Sequence, residues 1–510
     1  YREKSNTIRR ARIDDHAPLG TADSRSWLLV IRVDLSDDST EIYLMVVSRA
    51  AAGEAEVIAA DQPNAIMCYL GSEGSDGAIY DGAHNPVVRE SLLALFTGRR
   101  KLKSAKGEIV VRRGRQLSRL ISELPDPIVS RVLKAEQSNS SIIYPDVFFF
   151  KLFRKLEEGT NPDIELTKYL TDEKGFSHVP RFAGNLEYTR ARRDNAAVGL
   201  LLSLEANQGD GWSYAIAAVD RFFEIVLEGT AEEFPTPDLF DGGLADVPDA
   251  FMDLAGGLFM EMVDLLGQRT GELHLALADA GERKEFVPEP FTKLYQRSIY
   301  QNVRSQIRRT MSMVRRISRN LDDDTKKMAG AFLQSEPEML AVASRITDHK
   351  ITGEKIRVHG DYHLGQVLFT GRDFVIIDME GEPARTLSER RLKFTAFKDV
   401  AGMIRSFHYA VSTRYLERTA LRPEDSEALE PWAETWFRFV SSTFMSGYLR
   451  TVDGAGFVPA DRDDVKLLLN VFMLEKAVYE IGYEINNRPD WLMIPLHGVN
   501  HVLQNLDDLA

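Results

Sequence analysis

The chain has 510 residues, 44% hydrophobic and 27% charged, with a net charge of −14; this is the composition of a globular protein, with two or three domains expected from its length. The acidic balance leaves no electrostatic footprint for nucleic acid, so no nucleic-acid partner is expected. The single cysteine, Cys68, excludes an intrachain disulfide and fits a reducing, cytoplasmic setting, and the absence of a signal-peptide pattern or an apolar run near membrane-spanning length argues against a membrane partner.

The first elements are β. Residues 26–33 and 41–47 are rich in β-branched and aromatic side chains and flank Ser36-Asp37-Asp38-Ser39, which predicts a hairpin. A helix is expected over 86–96 and a short strand over 108–112. The basic stretch 99–103 between them reads as a solvated loop, and Leu124-Pro125-Asp126-Pro127 as a boundary. A second β unit pairs 141–143 with 147–153. A helix then opens with Asn161 as N-cap, Pro162 at the first helical position, and Asp163 and Glu165 near the positive end of the dipole. Residues 198–202 read as a buried strand that ends in the turn-rich Asn207-Gln208-Gly209-Asp210-Gly211-Trp212. From 213 onward, apolar spacing of three and four predicts helices over 213–227, 249–266, 292–317, 323–333, 336–346, 399–411, 429–449 and 464–485.

One β element interrupts the helices and carries the chemistry. His359-Gly360-Asp361-Tyr362-His363-Leu364-Gly365-Gln366 is followed by the apolar run 374–377 and then Asp378-Met379-Glu380. A carboxylate, an amide five residues later and a second carboxylate at a strand end are the groups that phosphoryl transfer requires: one acid aligns a hydroxyl and takes its proton, while oxygen donors hold magnesium on nucleotide phosphates. Asp361 is the expected base, Gln366 and Asp378 the magnesium ligands, and Glu380 a further metal ligand or a support for its neighbours. His359 and His363 invite a zinc reading, but the intervening Gly-Asp opposes a helix presenting both rings and no H-E-x-x-H glutamate is present; His359 is expected to brace the loop.

Lys151 lies in the apolar run 148–153, where an unpaired charge is costly. Alternation does not decide which way it points, because both faces are apolar. Beside the acidic motif, we read it as paired with Glu165 and directed at nucleotide phosphates. The Ser/Asn cluster 137–141 lacks the glycines of common phosphate loops, yet its backbone N–H groups and hydroxyls suit phosphate oxygens.

Several of these stretches together resemble the bacterial maltokinases. They are Glu136-Gln137-Ser138-Asn139-Ser140-Ser141, residues 151–165, residues 207–212, His359 to Gln366, Ile377 to Arg385, residues 399–407 and residues 483–491. Ser140 replaces the usual Thr and Met379 the usual Phe, exchanges that keep the hydroxyl and the apolar contact. The resemblance implies an α+β, bilobal aminoglycoside-phosphotransferase/protein-kinase-like fold with an N-terminal β-rich cap. The expected divisions are a cap over 1–112, a β-rich N-lobe over 113–205 and a helical C-lobe over 206–510. It implies ATP and Mg2+ as cofactors, with Gln137, Ser138, Asn139, Ser140, Lys151, Glu165, Glu205 and Ala206 at the nucleotide. It implies maltose as the acceptor, phosphorylated at its anomeric hydroxyl and feeding α-glucan (glycogen) synthesis from trehalose. Asp361, His363, Arg488, Asp490 and Trp491 would meet the sugar, with Tyr295, Gln296 and Tyr300 as weaker candidates. A trehalose synthase, fused or associated, is the expected protein partner, in keeping with a chain that begins at Tyr1. Two other readings are a kinase for glucosamine or an aminoglycoside, and a non-catalytic module of such a fusion.

Overall fold

The computed structural model describes residues 7–20, 25–72, 75–98, 101–133, 139–229, 234–240 and 242–504. Two compact units divide the chain: Tyr1–Ala206 with Glu382–Arg390, and Asn207–Gly381 with Arg391–Ala510.

The first unit is built on two antiparallel sheets. Strands β1 (Ile8–Leu19), β2 (Ser26–Leu35), β3 (Thr40–Ala50), β4 (Ile66–Leu70) and β5 (Gly77–Asp81) run in the order β1-β2-β3-β5-β4. The predicted hairpin is β2–β3, in register from Asp34↔Thr40 to Ser26↔Ser48. Its turn is closed by Asp38, whose φ of 66° places it in the left-handed region that Asp tolerates. Helix α1 (Pro86–Gly98) follows. The second sheet contains β6 (Leu102–Lys103), β7 (Glu108–Arg113), β8 (Arg131–Val132), β9 (Asn139–Tyr144), β10 (Phe148–Phe153), β11 (Phe182–Thr189) and β12 (Ala196–Ser203), in the order β6-β7-β11-β12-β10-β9-β8. Leu28, Val30, Leu44 and Val46 from one sheet share a core with Leu92 and Phe96 of α1 and with Ile142, Phe148, Phe150 and Leu201 of the other.

Three features of this unit go beyond the sequence reading. Leu102 and Lys103 pair with Ile109 and Glu108, so this part of the basic stretch is a strand, its charge carried on an edge that water reaches. Strand β7 spans the residue 112 boundary expected between cap and N-lobe, because its partner is β11 of the second sheet. Strand β11 itself had no prediction, since the Gly184-Asn185 pair interrupts its alternation; its register shifts between Phe182 and Gly184, an irregularity typical of glycine within strands.

The second unit is helical: α3 (Gly211–Leu227), α4 (Gly257–Ala278), α5 (Lys293–Ile317), α6 (Phe397–Leu421), α7 (Ser426–Thr451), α8 (Arg462–Asn487) and α9 (Met493–Gln504) are its main helices, and α2 (Pro162–Lys168) belongs to the first unit. The helix predicted over 249–266 is two. Gly256 has φ 89°, and the Arg221 guanidinium fills the space a Cβ would take while donating to the Ala255 carbonyl at 3.1 Å. Helices α4 and α7 approach closely through glycines: a Cβ on Gly267 would lie 2.2 Å from the Phe444 carbonyl oxygen, and one on Gly447 2.3 Å from that of Asp264. No helix among the described residues is long and apolar enough to cross a membrane.

Backbone atoms cannot move aside as side-chain ends can. Gly447→Ala is therefore expected to cost about 1–3 kcal/mol and to lower the thermal unfolding midpoint. An unchanged midpoint would show that α4 and α7 are not in backbone contact.

Candidate active site

The loop carrying His359 to Gln366 is fastened to one face of α6. Asp399, in the first turn of α6 and buried, accepts from the backbone N–H of His359 at 2.7 Å and of Gly360 at 2.9 Å. Three residues on, Gly402 leaves room for the Tyr362 carbonyl, which a Cβ would approach to 2.5 Å. Four residues further, the Ser406 hydroxyl accepts from Leu364 N–H at 3.0 Å. Positions i, i+3 and i+7 share a helix face, so Asp399, Gly402 and Ser406 form one docking strip. Asp399 also meets His274 Nε2 at 3.2 Å, and His274 Nδ1 meets the Tyr448 hydroxyl at 3.0 Å. Burial favours protonation of Asp399, but His274, His359 and the Gly360 N–H outweigh it and keep the carboxyl below its usual range.

His359 does brace the loop. Its Nε2 lies 2.8 Å from the Ile377 carbonyl oxygen, which ties the loop to the residue before Asp378. Gly360 has φ 87° and its missing Cβ would sit 3.3 Å from Gly381; only glycine suits both the turn and the approach. Between these ties runs a hairpin of β13 (Val367–Phe369) and β14 (Phe374–Ile376). Ile377 N–H donates to the Gln366 carbonyl at 2.9 Å, so Gln366 and Asp378 stand side by side. The Gln366 amide nitrogen is 3.3 Å from Asp378 Oδ2, and Asp378 holds a left-handed φ of 64°. Gln366 and Asp378, with half-buried Glu380, form a group of oxygen donors, the type magnesium prefers.

Asp361 follows the Gly360 turn. Its Oδ1 accepts from Lys476 Nζ of α8 at 3.0 Å, with both side chains about a quarter exposed (24% and 25%). Burial would raise its pKa, but Lys476, with His363 and His359, holds it below the ordinary carboxylate range. His363 is pushed the other way: burial, aided by Lys476 and His359 against the pull of Asp361 and Asp378, favours the neutral ring. Its Nδ1 accepts from Gly365 N–H at 3.1 Å, which leaves the proton of the neutral ring on Nε2.

Helix α8 continues this face. One turn beyond Lys476, Glu480 pairs with buried Arg405 at 2.7 Å. A further turn on, buried Glu484 accepts from Tyr409 at 2.6 Å and from Arg488 Nη2 and Nε at 2.7 and 3.0 Å. The Arg488 guanidinium lies 4.3 Å from the Trp491 ring centre. Two of the expected sugar contacts therefore have partners within the chain: the Arg488 fork is held by Glu484, and one face of Trp491 is covered by Arg488. Asp490 is exposed. The rise of α8 separates Lys476 from Arg488 by about 18 Å, and no described contact joins Arg488, Asp490 or Trp491 to Asp361 or His363. Gln296 is buried and its amide donates to the His349 carbonyl at 2.7 Å, so it is a packing residue. The Tyr295 hydroxyl accepts from Thr395 N–H at 3.3 Å, and Tyr300 is half-buried.

The first unit presents a separate group. Lys151 is central in its sheet, opposite Ser141 and Leu200, and points inward. Its Nζ is 3.2 Å from Asp163 Oδ2, with side chains 7% and 3% exposed. The sequence places Asp163, like Glu165, near the positive end of the helix dipole, and the two stand two residues apart on this short helix. Glu165 is also buried. Asn161 caps α2 as predicted, accepting from Ile164 N–H at 3.2 Å. Gln137 and Ser138 lie outside the described residues. Asn139 and Ser140 belong to strand β9 rather than to a loop, and the Ser140 hydroxyl accepts from Arg154 at 3.0 Å. Glu205 accepts from the Ser203 hydroxyl just beyond β12, and Ala206 is exposed.

No model of a known protein family matches the chain. A glucosamine kinase of Mycolicibacterium smegmatis is 24% identical over 373 residues, 72% of this chain and 77% of that protein. A glucosamine kinase of Streptacidiphilus jiangxiensis is 26% identical over 189 residues, 35% of this chain and 40% of that protein. Among solved structures, a glucosamine kinase in complex with glucosamine, ADP and inorganic phosphate is similar at a TM-score of 0.63 and 18% identity, covering 98% of this chain and 95% of that one. A second crystal form of a glucosamine kinase gives 0.64 at 18% identity and the same coverage. The relatives are thus sugar kinases of another acceptor than the expected maltokinases, and the chain shares the α+β fold of the solved glucosamine kinases.

Proposed function

We propose that this chain is an ATP-dependent sugar kinase. The observation that carries the reading is the Asp361 loop: an ionised carboxylate held at one point, with the oxygen donors Gln366 and Asp378 held beside each other at the end of the same short hairpin. In the transfer, the acceptor hydroxyl gives its proton to Asp361 and its oxygen bonds to the γ-phosphorus. The bond from the γ-phosphorus to the bridging oxygen breaks, and ADP leaves with that electron pair. Gln366, Asp378 and Glu380 would hold magnesium, which when bound offsets the charge of the nucleotide phosphates. Lys151, aimed by Asp163 with Glu165 on the same helix, is assigned to the nucleotide phosphates. Gln137, Ser138, Asn139 and Ser140 join it, Ser140 by its backbone, and Glu205 and Ala206 are assigned to the base. His363 is assigned to the acceptor beside Asp361; Arg488, Asp490 and Trp491 enter as the outer end of the acceptor path.

Glucosamine is the first acceptor proposed, because the similar proteins are glucosamine kinases across 72% and 98% of this chain. Maltose, giving maltose 1-phosphate for α-glucan synthesis, is the second. It is favoured by the charge pattern around α8, where Asp361 of the loop and Glu480 and Glu484 of the helix each already carry a cation. A neutral polyol adds hydroxyls to such pairs, whereas an ammonium group must displace a cation.

Asp361→Ala is expected to lower kcat about 10²–10⁴-fold while ATP binding, followed by titration calorimetry, stays near wild type. Near-wild-type turnover would remove Asp361 from the reaction. ATP consumption measured over glucosamine, maltose, glucose and trehalose is expected to be highest with glucosamine. Turnover with maltose alone would transfer the assignment to the second acceptor, and turnover with none would reject both.

A further inference from the structure

The Asp361 side chain has a single hydrogen-bond partner among the described residues, and that partner is far away in sequence. Oδ1 takes the Lys476 ammonium at 3.0 Å, and Oδ2 has no hydrogen bond among the described residues. His363 and His359, on its own loop, also act on it. A carboxylate on a turn can rotate about both side-chain torsions, and a proton acceptor works only when one lone pair is aimed at the hydroxyl.

Lys476 is well placed to supply that aim. It is in the middle of α8, on a stretch fastened from α5 on both sides. The Gln306 amide donates to the Glu475 carbonyl at 2.8 Å, and the Thr310 hydroxyl to the Val478 carbonyl at 3.3 Å. One turn later the Glu480–Arg405 pair repeats the anchorage towards α6, the helix that holds the Asp361 loop. The ammonium also lies 5.4 Å from the Tyr479 ring centre. Loop and lysine are therefore set by the same helical frame.

We propose that Lys476 is the positioning residue of the base: it pins Oδ1 of Asp361 so that Oδ2 faces the acceptor hydroxyl. The assignment rests on Asp361 being the base of a sugar kinase. In the step, the acceptor O–H bond breaks and an Oδ2–H bond forms. The oxygen's electron pair goes to the γ-phosphorus, ADP departs, and the proton passes from Asp361 to solvent. The ammonium gives up no proton. It weakens Asp361 as a base, a tolerable cost where bond-making to the nucleophile is slight at the transition state.

The test is a double-mutant cycle with ATP and whichever sugar the acceptor panel identifies. Lys476→Met is expected to lower kcat about 10–100-fold with the KM for ATP within about twofold, and Lys476→Arg to recover most of that loss. In an Asp361→Asn background, Lys476→Met should add nothing. An unchanged kcat in Lys476→Met, or a full additional loss in the Asp361→Asn background, would overturn the proposal; the latter would make Lys476 an independent contact. Thermal unfolding of the same four proteins reads the pair without turnover. Coupling there, in a protein that phosphorylates no sugar, would keep the ion pair and reject both the proposed function and the role. Zero coupling would overturn the pair itself.

Discussion

The buried carboxylate of Asp399 is the constraint on which the candidate site depends. An ionised group at 1% exposure is tolerated only when its lone pairs are filled, and here two backbone N–H groups and a histidine fill them. The exchange is reciprocal. The N–H groups of His359 and Gly360 find their acceptors on this side chain. Loss of the carboxylate would strand both, along with His274. The turn, the Asp361 that follows it and the hairpin that ends at Asp378 are located by that one side chain, with Gly402 and Ser406 repeating the attachment along α6.

Charge pairing is the second organising feature. Lys476, Glu480 and Glu484 lie one turn apart on α8 and each meets an opposite charge from another element or the helix end. Such partly buried pairs are screened less than surface pairs. Removing one partner leaves a charge in a poorly solvated place, which is costlier than the pair was favourable. The same holds in the first unit for Lys151 and Asp163, among the most enclosed ion pairs in the described chain. These pairs specify where groups stand more than they add to stability.

Much of the fold was legible locally. The β2–β3 hairpin, the Asn161 cap, the β9–β10 pair and the long helices follow from periodicity, turn residues and caps, all of which act within a few residues. The acidic loop was legible for the same reason: its groups are contiguous, and phosphoryl transfer needs few others. Strand β11 escapes the pattern where Gly184 breaks the alternation, whereas the split at Gly256 has a local signal, the Gly256-Gly257 pair with Gly256 left-handed, which the continuing helical spacing on either side obscures.

Sequence by itself determined the chemistry available: a carboxylate, an amide and a second carboxylate at short spacing, and a lysine in an apolar strand. Tertiary structure decided the partners. Lys151 meets Asp163, Asp361 meets Lys476 from 115 residues away, Asp399 carries the loop, and Glu480 meets Arg405 of another helix. Local spacing records which groups a segment carries, but a salt bridge or a buried hydrogen bond is chosen by which helix faces come together. That choice is set by long-range packing, such as the glycine contacts of α4 and α7, and no short stretch of sequence contains it.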